Sequence, residues 1–183
     1  LSLALGSSTY AFTAMLVTFL IGLAGGALAV ASLLRSRRLD LVAFGVLEVA
    51  IALAAVALLP AFGRLPDAAL FLLGRMGVSH AAALSVQLGL SFAVMIVPTL
   101  LIGATFPVMI AAVGRGLDRL GRDIGLVYGA NTLGTIVGAV MAGFCRVPWL
   151  GMRGTVHAAA AANLVAGLGL LLAASSGLRA RAW

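Results

Sequence analysis

The sequence predicts an all-α fold: a polytopic transmembrane helix bundle, with five spans in one membrane domain over residues 1–183. Three observations predict it. Hydrophobic residues make up 63% of the chain and charged residues 9%, too few to cover the outside of a soluble protein with polar groups. The mean hydropathy is +1.19. The apolar residues also fall into long unbroken runs, with nearly every charge in the gaps between them. A spanning helix needs roughly 20 apolar residues, whereas a membrane barrel would show short alternating segments.

The first span, 11–34, carries Gly22 and Gly26 four residues apart, with Gly25 beside them. Helices in lipid gain little from hydrophobic burial against each other and associate through close contact at small residues. Gly22 and Gly26 are therefore candidate helix-packing positions. The second span, 41–62, contains Glu48, the one acidic residue inside a predicted span. An intramembrane carboxylate faces a bundle interior or marks a cation or proton path. The connection from Gly63 to His80 is the longest, and its apolar part, Leu65 to Gly74, reads either as an interfacial helix or as a plain loop.

The third span, 81–113, holds Gln87 and Thr105 and is interrupted by Pro98 and Pro107. Each proline removes a backbone donor and crowds the preceding turn, so a kink or short unwinding is expected around Gly103–Pro107. The fourth span, 124–147, has the densest polar set: Tyr128, Asn131, Thr132 and Thr135. It also carries Gly125, Gly129, Gly134 and Gly138, expected to form a ridge of small residues along one side with another helix against it. The fifth span is 156–175. Glu48, Gln87, Thr105, Tyr128, Asn131 and Thr135 together form the candidate intramembrane polar site.

All of the net charge of +7 comes from arginine, since the chain has no lysine. Arginines confined to loops face lipid headgroups and set topology, and no aromatic–basic surface accompanies them, so nucleic-acid binding is not expected. Eight of the twelve arginines fall on one side: the loops after spans one and three, and the C-terminal tail. That side is predicted to be cytoplasmic. The odd number of spans, and an apolar start at Leu1 without a basic segment before it, suggest a sixth span upstream. Asp118, Arg119 and Arg122 lie in the short glycine-rich loop after span three and are candidates for a cytoplasmic charge clamp. That loop resembles the Gly-x-x-x-Asp-Arg-x-Gly-Arg loop of major facilitator transporters, although Asp123 stands where that family prefers a basic residue. Cys145, His80 and His157 are too few and too scattered for a metal site, and no cofactor and no catalytic constellation is expected.

Three segments in order carry a more particular likeness. Gly6-Ser-Ser-Thr-Tyr10-Ala-Phe12 leads into span one, Ile102-Gly-Ala-Thr-Phe-Pro107 lies in span three, and Tyr128-Gly-Ala-Asn131-Thr-Leu-Gly134-Thr-Ile-Val-Gly138 lies in span four, with Pro148-Trp-Leu-Gly151 beyond it. Together they resemble the membrane domain of the spermidine synthase-like polytopic proteins, the fused major facilitator/spermidine synthase type. The resemblance implies a membrane scaffold without the aminopropyltransferase-like catalytic domain, because no strand–loop–helix nucleotide motif is present. The function expected is a non-catalytic scaffold or accessory subunit, with the bilayer and other membrane subunits as partners. A half-unit transporter for a polyamine or other small organic cation is the alternative. The expected location is a bacterial inner membrane, with the C-terminus in the cytoplasm.

Overall fold

The structure is a computed structural model and describes residues 9–34, 40–77, 79–113 and 120–180. Among the described residues there is no strand. The helices are α1 (Thr9–Leu34), α2 (Leu41–Met76), α3 (His80–Val113), α4 (Leu120–Val140) and α5 (Val147–Ala180); a π-helical turn, Met141–Arg146, runs from α4 straight into α5. Four helical stretches are long and apolar enough to cross a membrane: Thr9–Leu33, Leu41–Met76, Ala81–Ala112 and Gly121–Ser176. This is the build of an integral membrane protein.

The count corrects the expected five spans. The fourth and fifth run on as a single 56-residue stretch. Pro148 lacks the N–H that would bond back to Phe144 and crowds its carbonyl. The wider π turn lies around that point, and Val147 N–H donates to the Ala142 carbonyl, five residues back. Helical geometry breaks at one residue only, Gly151, at φ 67° and ψ 177°, a conformation open essentially to glycine. The loop expected around residues 148–155 is therefore a one-residue break.

A second correction concerns the connection after span two. α2 does not stop at residue 62 but continues through Pro60, Gly63 and Pro66 to Met76, so Leu65 to Gly74 is neither a loop nor a separate interfacial helix. Burial offsets the backbone bonds that the prolines remove: Leu65 and Ala69 are buried, and Pro66, Ala69 and Leu73 face Ala83 and Val86 of α3. At 36 residues, α2 is about 54 Å long, well beyond a hydrocarbon core of roughly 30 Å. Its start is capped by Asp40, whose Oδ1 accepts from Val42 and Ala43 N–H at 3.0 and 3.1 Å. It ends at Gly77, φ 80°, and Ser79 Oγ then caps α3 by accepting from Ala82 N–H at 3.1 Å. Pro98 and Pro107 both sit inside α3, which stays helical from end to end; of the kink or short unwinding expected around Gly103–Pro107, the unwinding is absent.

Four of the helices form a row in the order α1, α3, α2, α5, each packed on the next. The α1–α3 seam is the tightest. Ala11, Ala14, Thr18, Gly22, Gly26 and Val30, three or four residues apart, are the buried positions of α1. A Cβ built on Gly22 would lie 2.5 Å from Thr99 Cβ. One on Gly26 would collide with the Leu100 carbonyl oxygen and come 2.9 Å from Ala104 N, and one on Gly103 would come 2.6 Å from Leu23 Cα. The two backbones touch. The two seam threonines are satisfied within their own helices: Thr18 Oγ1 donates to Ala14 O at 2.8 Å and Thr99 Oγ1 to Met95 O at 2.7 Å. A similar contact joins α2 and α5, which run antiparallel. A Cβ on Gly45 would be 3.0 Å from Gly167 O, one on Gly167 would be 2.7 Å from Gly45 O, and Gly63 lies opposite Arg153.

α4 stands apart. It meets the rest of the row lightly, at the end of α3. Its glycines have no packed neighbour: nothing among the described residues lies within 4 Å of a Cβ built on Gly125, Gly129, Gly134 or Gly138. They also do not share one side. At 3.6 residues per turn, the pair Gly134 and Gly138 is rotated about 180° from the pair Gly125 and Gly129, so the expected single ridge is two short faces. Asp118 and Arg119 lie outside the described residues, and Arg122 is exposed at the start of α4.

The α1–α3 contact yields a stability test. Gly26→Ala is expected to destabilise the bundle by more than the ~1–3 kcal/mol typical of overpacking, because its new methyl meets backbone. Gly74→Ala, where no packed neighbour among the described residues lies within 4 Å, is expected to be neutral or stabilising by up to about 1 kcal/mol through helix propensity. Unfolding in mixed micelles with increasing SDS measures both.

Candidate functional site

The first turns of α4 approach α2 and α3 and leave a groove of about 400 Å³. Its lining places each contributor by helical register. α2 supplies Phe44 and Glu48, four residues apart on one face. α3 supplies Thr105, Phe106 and Met109, and α4 supplies Leu126, Val127, Ala130 and Asn131. Phe106 also meets Tyr128 edge to face, with ring centroids 6.1 Å apart, a favoured aromatic geometry that pins the start of α4 to α3.

Three of the six residues of the candidate polar site therefore line one groove: Glu48, Thr105 and Asn131. Tyr128 adjoins it through Phe106 while remaining largely exposed. Thr135 is exposed, and its hydroxyl donates to the Asn131 carbonyl at 2.8 Å, so it stiffens α4 and does not line the groove. Gln87 lies elsewhere, in a cleft of about 290 Å³ between α2 and α3 lined by Pro66, Ala69, Leu70, Leu73, Ala83 and Val86. The six do not form one site.

The polar groups in the groove are all equipped to accept hydrogen bonds. Thr105 Oγ1 gives its proton to the Ile102 carbonyl at 2.7 Å, which leaves its lone pairs free. Glu48 is half-buried and no side chain among the described lining residues carries a positive charge. The rest of the wall is aromatic or aliphatic. Phe44, Phe106 and Met109 escaped the sequence reading. Phe44 lies four residues from Glu48, and Met109 lies four from Thr105 and three from Phe106; that spacing was the available signal, but it is indistinguishable from ordinary apolar helix pattern.

A third cleft, about 420 Å³, lies between α2 and α5 and is lined by Val56, Leu59, Pro60, Arg153 and His157. Arg153 and His157 are four apart on α5 and exposed, placing two basic side chains beside an apolar strip. Among the described residues no cluster of His, Cys, Asp and Glu could hold a metal ion. Compared with protein-family models, curated proteins and solved structures, the chain matches none.

The groove geometry predicts which positions are neighbours. In a Cys145→Ala background, a Met109→Cys/Leu126→Cys pair is expected to link α3 to α4 with a short thiol cross-linker. A Gln87→Cys/Asn131→Cys pair is not. Gel mobility of the linked, protease-nicked chain reads the difference.

Proposed function

We propose that this chain is a non-catalytic membrane scaffold or accessory subunit that seats a helix of another membrane subunit. It would be similar in this to the membrane domain of spermidine synthase-like polytopic proteins, the likeness carried by the motifs in α1, α3 and α4. One observation carries the proposal. Among the described residues, α4 approaches the row at its first turns, and beyond that point Gly134 and Gly138 continue the helix face that lines the groove, with no packed neighbour within 4 Å of either built Cβ. Bare helix backbone is where another helix gains most from close approach. Within the row, the chain already uses that device twice, at Gly26 and at Gly45–Gly167.

In a bilayer, the 56-residue last stretch is about 84 Å long if straight, nearly twice a whole bilayer of roughly 40–45 Å. In this reading the break at Gly151 lets that length turn and cross twice. The arginine bias then puts the C-terminal tail in the cytoplasm, in keeping with an inner-membrane protein. Transport of a small organic cation by the chain as a half-unit is a second reading, favoured by the groove around Glu48.

The assembly reading makes a direct prediction. Gly134→Leu/Gly138→Leu is expected to shift the protein from higher-mass species toward the lone 18.5 kDa chain on native electrophoresis in mild detergent, while Ile136→Ala, on the opposite side of α4, leaves the pattern unchanged. A wild-type chain that runs alone, or a double variant with wild-type mobility, refutes it.

A further inference from the structure

The groove between α2, α3 and α4 contains an unsolved electrostatic problem. Glu48 sits seven residues into α2, about 10 Å from the helix start, within an apolar span. No hydrogen bond or ion pair joins its carboxylate to another described residue, and none of the lining residues is basic. A carboxyl group in that position is relieved either by taking a proton or by a counter-charge, and the groove is where a counter-charge can reach it. The groove beside it is large enough for a small molecule and is otherwise built of acceptors and apolar walls.

We infer that this groove is a binding site for a primary ammonium monocation with an apolar or aromatic body, its head on Glu48, Thr105 and Asn131 and its body along Phe44, Phe106 and Met109. The donor count selects the head group. A primary ammonium has three N–H donors and no acceptor; the site offers the Glu48 carboxylate, the free lone pairs of Thr105 Oγ1 and the Asn131 amide oxygen. A quaternary ammonium could use the charge and the aromatic faces but not the hydroxyl and amide. The charge count selects a monocation: the described lining holds one carboxylate, so the additional ammonium groups of a polyamine would enter an apolar wall unpaired. The aromatic and thioether lining selects the body, since Phe44, Phe106 and Met109 offer flat and polarizable contact. This inference concerns binding and holds whether or not the chain transports its ligand or assembles with other subunits.

The test uses the full chain in phosphatidylcholine nanodiscs, with 4-fluorophenethylamine as the probe and its fluorine NMR signal as the readout. The wild type is expected to bind saturably, and Glu48→Gln to weaken binding at least tenfold. Asn131→Leu should weaken it several-fold, Glu48→Asp should retain most of it, and Gln87→Leu should leave it unchanged. The trimethylated analogue of the probe and spermidine should each bind at least several-fold more weakly than the probe. Equal binding by wild type and Glu48→Gln overturns the inference, as does equal affinity for the trimethylated analogue. If Glu48→Gln fails to fold, judged by size exclusion, the comparison of Asn131→Leu with Gln87→Leu decides: equal loss in both, or in neither, overturns it. Binding in discs without uptake of the probe by cells would refute transport while leaving the binding site standing.

Discussion

Backbone-to-backbone contact between α1 and α3 is the constraint on which the bundle depends. Where Gly22, Gly26 and Gly103 meet the opposing helix, there is no room for a single added carbon. Lipid supplies no hydrophobic force to push two apolar helices together, so attraction must come from many short contacts. Those require bare backbone, and glycine alone gives it. The alanines and threonines along the rest of the seam let the same separation persist above and below the crossing. With α1 and α3 fixed, α2 packs on the other side of α3, and α5 docks on α2 through its own pair of glycines. The result is a row of helices, with most side chains left facing outward.

That outward exposure suits the class of molecule. Leu28, Leu53, Leu70, Val165 and Leu172 are all more than half exposed, which would be untenable in water over so much surface and is ordinary in hydrocarbon.

Much of this was legible in the sequence, and the failures have specific physical origins. Membrane class and helical content follow from long apolar runs, which need no knowledge of packing. The ends of the helices do not. Gly63, Pro66 and Asp67 read as a loop because each weakens a helix locally, and the burial of Leu65 and Ala69 offsets them. The passage from α4 to α5 read as a loop because Pro148 and Gly151 are strong breakers; in the structure the first is absorbed by a wider turn and only the second breaks the helix. Small-residue spacing found Gly22 and Gly26 and also the glycines of α4, but spacing cannot distinguish a glycine that has a neighbour from one that does not. The groove was partly visible. Glu48, Thr105 and Asn131 stand out as polar groups in apolar spans, whereas Gln87 stands out equally and lies in a different cleft, because register between helices is a tertiary fact.

The π turn at Met141–Arg146 has a consequence for how the molecule sits in its surroundings. A wider turn spends more residues on one revolution, so every side chain after it is swivelled relative to the pattern set by α4. Phe144 within the turn and Trp149 just beyond it consequently point away from the protein, 80% and 86% exposed. With Arg146 between them in the chain and Arg153 just after, they make an aromatic and cationic collar next to the Gly151 elbow. Such collars settle at the level where hydrocarbon gives way to headgroups. Their place beside the elbow suits that level, where exposed backbone can reach water.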